Sequence, residues 1–146
     1  MTDQSDLIKL YSGRILALAA EIPHVGRLEA PQASVRKRSP LCGSTVTVDL
    51  DLAEGRVSRF AQDVKACALG QAAAAVVGAA ALGRTPAELA AAAQGLAAML
   101  AGGPVPAAPF AGFEALVPAR AFRNRHASIL LAIEAAAEAA QAAASA

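Results

Sequence analysis

Polar and apolar residues alternate strictly over 45–52, and this alternation is the clearest structural signal in the chain. A period of two predicts a β-strand with one buried face. A short turn at 53–55 leads into a second predicted strand over 56–64, so the two strands form a hairpin. The alternation slips between Val57 and Phe60, which predicts a β-bulge. Four polar residues of the first strand are expected to face water: Thr45, Thr47, Asp49 and Asp51.

A helix is predicted before this hairpin. Apolar residues over 7–20 recur at a spacing of three to four, and Asp6 is a candidate N-cap. Pro23 ends the helix, because the residue before a proline is disfavoured in helical geometry. The stretch 26–40 contains turn formers and scattered charge and is predicted as a long loop. Since a two-stranded hairpin is marginal alone, a third strand is expected from the segment before Cys42.

Further helices are predicted after the hairpin. The stretch 68–82 is almost entirely Ala, Val and Leu, which favours a buried helix. The residues at 85–88, Thr-Pro-Ala-Glu, form a capping box with proline at the first helical position, and a helix over 87–100 is expected to follow. A final helix is predicted over 125–143, with an alanine-rich tail that frays from about residue 139.

These elements predict an α+β fold, in which helices pack on one face of a small antiparallel sheet of about three strands, including the hairpin at 45–64. The 146 residues fit a single domain over 1–146. Hydrophobic residues make up 55% of the chain and charged residues 17%, which excludes a disordered polar chain. Aromatic residues are only 3%, so small aliphatic side chains must form the core.

Charge and hydropathy restrict the possible partners. The 13 Lys and Arg residues against 12 Asp and Glu do not give the basic excess that nucleic-acid binding requires. Two uncharged stretches, 66–83 and 89–113, are mostly Ala and Gly, and prolines break the second, so neither is expected to cross a membrane. Two basic clusters, at 36–38 and 120–125, are interpreted either as solvated surface or as docking surfaces for an acidic partner.

The two cysteines are the main candidates for chemistry. The acidic N-terminus does not resemble a secretory signal, so a cytoplasmic location and free thiols are expected. Cys42 precedes the first predicted strand and Cys67 follows the second, so the hairpin should bring both to one end of the sheet. Cys67 also starts a helix beside Lys65, and both features favour its thiolate form. The alternative is that each cysteine is a small buried hydrophobe.

Five segments, in the same order, resemble the iron–sulfur cluster scaffold family of IscU, SufU and NifU N-terminal domains. The residues at 25–31 resemble its G-R-L-x-x-P loop, and P-L-C-G-S at 40–44 resembles its P-x-C-G-D turn. Cys67, with small residues behind it, resembles the second cysteine of the family and its helix. The residues at 83–85 resemble the G-K/R-T step, and those at 125–131 the segment with the third cysteine. The resemblance covers nearly the whole chain.

The resemblance implies an IscU/SufU-like fold and a scaffold role in iron–sulfur cluster assembly. A cysteine desulfurase and cluster-recipient apoproteins would then be the partners. In the family, three cysteines and the aspartate of C-G-D hold a cluster or a metal. This chain departs from the pattern at two positions. Ser44 replaces the aspartate, and the third cysteine corresponds to Ala127 if H-C-S is aligned or to Ser128 if R-x-x-C is aligned.

The implied ligands of iron, zinc or a transient cluster are therefore Cys42 and Cys67, and Cys67 is the candidate persulfide acceptor. His126 is a substitute ligand, although three neighbouring arginines disfavour a cation there. Ser44 and Ser128 are weaker candidates, because hydroxyl protons are hard to remove near neutral pH. Two thiolates and one imidazole would suit zinc with an exchangeable fourth ligand. A cluster usually has four ligands, mostly thiolates, so a second molecule would have to supply some.

The missing aspartate and cysteine leave a second interpretation open, in which the chain is a degenerate scaffold homologue that acts as a non-catalytic binding or regulatory partner. Oligomerisation is compatible with either interpretation. His24 is interpreted as an ordinary loop residue. The sequence contains no Ser/His/Asp set, phosphate-binding glycine loop or paired carboxylates, so no enzyme activity is expected beyond a sulfur-acceptor role.

Overall fold

Three antiparallel strands in the order β1-β2-β3 form the sheet in the computed structural model, which describes residues 11–40 and 43–146. The strands are β1 (Ala33–Arg38), β2 (Thr45–Ala53) and β3 (Arg56–Lys65). The helices are α1 (Gly13–Ala20), α2 (Ala68–Ala80), α3 (Pro86–Leu100) and α4 (His126–Ala144). Two 3₁₀ helices, Ala111–Ala121 and Arg123–Arg125, lie between α3 and α4. The predicted α+β class and the three-stranded sheet are confirmed.

The β2–β3 hairpin has the predicted turn and bulge. Gly55 in the turn has a φ of +75°, a conformation that glycine adopts without a steric penalty. The register shifts after Asp51, so that no residue of β2 lies directly opposite Ser58, which is the extra residue of the bulge. Ser58 lies inside the stretch 57–60 in which the alternation slips.

The third strand lies within the stretch predicted as a loop. β1 runs antiparallel to β2, with Arg38 opposite Thr45, and it comes from the segment before Cys42 as expected. The stretch 26–40 is therefore not a loop throughout. β1 was hard to recognise because Lys37 occupies a position on its inner face. The ammonium group of Lys37 pairs there with Glu138 of α4, so a charged residue replaces an apolar one.

Asp49 of β2 is predicted to face water, but in the structure its side chain is fully buried. Arg27 Nε donates to its Oδ2 at 2.7 Å, the amide of Leu28 donates to Oδ2 at 3.0 Å, and Ser34 Oγ donates to Oδ1 at 2.6 Å. Burial raises the pKa of Asp49, but these hydrogen bonds and the charge of Arg27 outweigh it and hold the pKa below its ordinary value. The ion pair thus fastens the loop before β1 to the outer face of the sheet.

The helices differ from their predicted bounds mainly at the ends. α1 begins at Gly13 with Ser12 as its N-cap, so residues 11 and 12 of the helix predicted over 7–20 are not helical. The earlier part of that prediction, with Asp6 as a cap, lies outside the described residues. α3 begins with both hydrogen bonds of the predicted capping box. α4 continues to Ala144, with Ala139 and Ala140 fully buried. The fraying of the tail stays a prediction.

α4 packs against the inner face of the sheet and contacts both α2 and α3. Within the described residues, one stretch, Arg123–Ala144, is long and apolar enough to cross a membrane by length and composition. In the folded chain, 56% of its most apolar window is buried against the rest of the protein. A core helix also meets the length criterion, so this stretch is weak evidence for a membrane span.

Candidate functional site

Cys67 lies at the junction between the sheet and the helical layer. It occupies the N-cap position of α2, two residues after the end of β3, with φ of −66° and ψ of 170°. Its side chain makes no capping hydrogen bond to the helix. The thiol is free and half-buried. The sulfur atom can therefore contact residues from other elements.

Two serines from distant parts of the chain converge on this thiol. Ser128 Oγ lies 3.6 Å from Cys67 Sγ and donates a hydrogen bond to Ser44 Oγ at 3.1 Å. Ser128 is in the first turn of α4 and Ser44 directly precedes β2, and both serines are buried. The structure thus brings together three of the five residues named from the sequence, and we call Cys67, Ser44 and Ser128 the thiol–hydroxyl group.

A glycine on α2 permits this close contact between helices. A Cβ on Gly70 would lie 2.9 Å from Ser128 Oγ and 3.2 Å from the backbone oxygen of Ser128. Any larger residue would therefore force α2 and α4 apart at the site. The sequence reasoning did not single out Gly70. The signal that could have found it is a glycine in the interior of an otherwise alanine-rich helix, which usually has a packing reason.

The turn that carries Ser44 is closed by backbone hydrogen bonds. The amide of Ser39 donates to the Ser44 carbonyl at 2.8 Å, and the amide of Gly43 donates to the Ser39 carbonyl at 3.1 Å. Gly43 has a φ of +72°, which favours glycine at this position. Cys42 belongs to this turn but lies outside the described residues. Its proximity to Cys67 therefore stays a prediction.

His126 contacts a different part of the chain. Its Nε2 lies 2.9 Å from the carbonyl oxygen of Ala119, and its side chain borders a cavity of about 350 Å³ beside the C-terminal end of α3. Two residues along a helix differ in direction by about 200°, so His126 and Ser128 point to different sides of α4. With Nε2–H donated to Ala119, only Nδ1 of His126 could bind a metal. The role of His126 as a ligand stays a prediction.

The structure also separates the two positions considered for the third cysteine. Ser128, rather than Ala127, has its side chain in contact with Cys67. His24, interpreted as a loop residue, packs edge-on against the ring of Phe60, with ring centroids 6.2 Å apart.

The donor atoms of the thiol–hydroxyl group set limits on its chemistry. Among residues 11–40 and 43–146, no three His, Cys, Asp or Glu side chains form a group that could hold a metal ion. The group supplies one thiol and two hydroxyls, and neutral hydroxyls are poor ligands for soft metals. A single thiol is sufficient for nucleophilic sulfur chemistry. Metal binding would need further ligands, of which Cys42 is the remaining thiol in the sequence.

Comparison with solved structures identifies the family. The chain is 40% identical to a protein described as a nitrogen-fixing NifU-like protein (N-terminal) from Brucella abortus, over 96% of this chain and 98% of that chain, with a TM-score of 0.92. The chain belongs to the NifU-like family. This finding confirms the resemblance to the IscU, SufU and NifU group that the five sequence segments indicated.

Two more distant structures share the fold of this NifU-like chain. A candidate iron–sulfur cluster assembly scaffold protein for the SUF system from Fervidobacterium islandicum AW-1 has a TM-score of 0.80 at 18% identity, over 90% of this chain and 96% of that chain. A protein described only as hypothetical has a TM-score of 0.77 at 23% identity, over 88% and 94%. No family model and no curated protein matches the chain in sequence.

Proposed function

We propose that this NifU-like chain is a scaffold-type protein of iron–sulfur cluster assembly, in which Cys67 accepts sulfur and Cys42 and Cys67 bind iron, zinc or a transient cluster. The observation that carries the proposal is the convergence of Cys67, Ser44 and Ser128 at one end of the sheet in a member of this family. The proposed partners are a cysteine desulfurase and the apoproteins that receive the cluster. A reducing cytoplasm is the proposed location, because the thiols must stay free.

The sulfur-transfer step requires a single nucleophilic thiolate on this chain. The Cys67 thiolate attacks the terminal sulfur of a persulfide on the desulfurase, and a new S–S bond forms on Cys67. The S–S bond to the desulfurase cysteine breaks, and that cysteine leaves as a thiolate. The transferred sulfur keeps its oxidation state, so no external oxidant or reductant is needed. Ser128 Oγ lies 3.6 Å from Cys67 Sγ and donates its own proton to Ser44, so before transfer it can accept a hydrogen bond from the protonated thiol of Cys67.

Iron and sulfide are the cargo of the scaffold in this proposal. Two thiolates are fewer than the four ligands that a cluster usually takes. Ser44 and Ser128 replace an aspartate and a candidate cysteine position with hydroxyls, which weakens metal binding. A cluster on this chain would therefore be labile, or would take ligands from a second molecule. Zinc bound by the two thiolates, His126 and an exchangeable ligand is the alternative form of the site, and it requires the His126 side chain to turn from Ala119 toward Cys67.

The proposal is tested by anaerobic purification followed by measurement of iron, zinc and acid-labile sulfide, and by incubation with a cysteine desulfurase and cysteine. Peptide mapping by mass spectrometry should find one added sulfur atom on Cys67 in the native chain and in Cys42→Ser. Cys67→Ser should lose this sulfur uptake, and Cys42→Ser is its matched control. A metal-free protein that takes up no sulfur would overturn the proposal.

A second candidate function keeps the fold without the chemistry. In this interpretation the chain is a degenerate scaffold homologue that binds or regulates a partner. The observation that favours it is the hydrogen bond between Ser128 and Ser44, which pairs two hydroxyls where family members carry metal-binding residues. Unchanged activity of cellular iron–sulfur enzymes after replacement of both cysteines by serine would support this candidate, and a loss of that activity would reject it.

A further inference from the structure

The cations of the chain are paired differently at the two ends of the sheet. Near the β2–β3 turn, three arginines form ion pairs with Glu88 or Asp51, namely Arg56, Arg59 and Arg84. Near Cys67, three cations form no ion pair within the part of the chain that the structure describes. We call these three the basic rim: Arg38, Lys65 and Arg125.

Two members of the basic rim lie on the sheet side of the thiol–hydroxyl group. Arg38 ends β1 and Lys65 ends β3, and both are opposite Thr45 at the start of β2. Directly opposite residues in antiparallel strands place their side chains on the same face, so the two cations flank Thr45. Arg38 Nη2 lies 4.0 Å from the position of a Cβ on Gly43, so the guanidinium extends over the turn that carries Ser44.

The third member lies on the α4 side. Arg125 is the N-cap residue of α4, three residues before Ser128. Its guanidinium carbon is 5.9 Å from the centre of the Tyr11 ring, and its Nε has no hydrogen-bond partner within the described residues. Arg123 is not included, because it borders the cavity beside the C-terminal end of α3 together with His126. Arg120 is not included, because its guanidinium donates to two backbone carbonyls.

Among residues 11–40 and 43–146, little negative charge lies beside the basic rim. Asp63, on the same face of β3 as Lys65, is one row further from the site, opposite Thr47 and in line with Arg36. Lys37 is also not part of the rim, since Glu134 and Glu138 neutralise it. The whole chain has a net charge of only +1. Within the described part of the chain, the three cations are therefore a local excess around one site.

We propose that the basic rim is a docking surface for an acidic protein surface, and that it positions the partner over Cys67. The proposal rests on the proposed function in one respect, since the partner would be the protein that exchanges sulfur or a cluster with Cys67. An acidic protein fits better than nucleic acid, because the chain as a whole carries no large basic excess to neutralise phosphates. Complementary charge of this kind mainly accelerates association and selects the partner.

The electrostatic field that the basic rim produces at Cys67 can be measured without any partner protein. Cys67 is alkylated with anionic iodoacetate and, separately, with neutral iodoacetamide, and the two rates are followed by peptide mapping. The rim variant Arg38→Gln/Lys65→Gln is compared with the control Arg56→Gln/Arg59→Gln, which removes the same charge at the other end of the sheet. At about 0.02 M salt, the iodoacetate-to-iodoacetamide ratio should fall about threefold in the rim variant and less than about 1.5-fold in the control.

Salt provides a second check on the local field. At about 0.5 M salt the difference between the rim variant and the control should disappear, because exposed charges are then screened within a few ångströms. An equal change of the iodoacetate-to-iodoacetamide ratio in both double variants, or no change in the rim variant at low salt, would refute the claim that the basic rim attracts anions to Cys67. These alkylation rates need neither metal nor sulfur transfer, so they stand even if the proposed function fails.

The class of partner is tested with two anionic probes, poly-L-glutamate and DNA, on the native chain and on the two double variants. Poly-L-glutamate should protect Cys67 from iodoacetamide in the native chain and in the control, and should protect it several-fold less in the rim variant. A short DNA duplex at the same total charge is the comparison. Stronger protection by the duplex than by poly-L-glutamate at physiological salt would assign the rim to nucleic acid and overturn the proposal, as would the absence of protection by poly-L-glutamate.

Discussion

Replacement of Ser128 by cysteine should convert the thiol–hydroxyl group into a metal-binding group. The Cys67 Sγ to Ser128 Oγ distance is 3.6 Å. With Zn–S bonds near 2.3 Å in tetrahedral geometry, two thiolates on one zinc ion lie about 3.8 Å apart. A sulfur atom near the present hydroxyl position would therefore match a shared zinc ion without a large backbone shift. Among the described residues of the native chain, no second thiol lies next to Cys67.

The expected gain follows from the contribution of one ligand. Structural zinc sites with four ligands bind with about 10–16 kcal/mol, or about 3 kcal/mol for each ligand. We expect Ser128→Cys to bind zinc about 100-fold more tightly than the native chain, with about 1.4 kcal/mol for each factor of ten. The assay is a competition titration against a chromophoric zinc chelator under reducing conditions, and thermal unfolding without metal checks that the variant is folded.

The matched control for this variant is Ala127→Cys. It adds a thiol to the same turn of α4, at the other position that the sequence left open for the third cysteine, but the Ala127 side chain does not share the contact of Ser128 with Cys67. It should bind zinc close to the native affinity. Equal affinities for Ala127→Cys and Ser128→Cys, or no gain in Ser128→Cys, would refute the assignment of Ser128 to the ligand position.

Three further predictions concern stability. Because Arg27 and its neighbours hold the pKa of Asp49 below the unfolded value, the stabilisation is present above the ordinary carboxyl pKa and is lost as the pH falls through the folded pKa. Asp49→Asn should lower the free energy of unfolding by about 1–2 kcal/mol at neutral pH, and urea titrations should show this difference shrinking in acid. A constant difference would contradict it. Gly70→Ala should lower the free energy of unfolding by about 1–3 kcal/mol, because the added methyl group overpacks the contact between α2 and α4. Gly95→Ala on α3 is the control, since a Cβ fits there, and it should leave the free energy of unfolding unchanged or raise it by up to about 1 kcal/mol. Equal effects of the two substitutions would refute the packing argument. Thr85→Ala removes the capping box of α3 and should cost about 1 kcal/mol in the same assay, and no loss would mean that packing alone fixes this helix end.

Local patterns predicted those elements whose signals are contained within a few consecutive residues. The capping box before α3 and the bulged β2–β3 hairpin depend on near neighbours, and both appear in the structure. β1 and the burial of Asp49 depend on partners distant in sequence. Lys37 of β1 pairs with α4, and Arg27 covers Asp49 from the preceding loop. Such pairings invert the expected polarity of a position, so alternation alone could not reveal them.

The candidate site shows the same division between local and distant information. The motif around Cys67 and its place at a helix start could be predicted, because they need only adjacent residues. The resemblance left Ala127 and Ser128 open for the third cysteine position. Local patterns could not decide between them, because the contact of Ser128 with Cys67 joins positions 61 residues apart and depends on the rotation of α4. The basic clusters at 36–38 and 120–125 were visible in the sequence, but only the fold shows that parts of both flank one thiol.

Sulfur acceptance and cluster binding make different demands on this site. Acceptance of a persulfide needs one reactive thiolate, whereas a cluster needs about four ligands. The thiol–hydroxyl group offers the single thiol of Cys67 for the first step, whereas its two hydroxyls do not supply the ligands that the second step needs. If the proposed function holds, sulfur uptake by the native chain should therefore persist under conditions in which iron is not retained. Restoring a thiolate at Ser128 should increase metal retention without a matching increase in sulfur uptake. A variant in which both quantities rise together would show instead that one shared ligand set controls both steps.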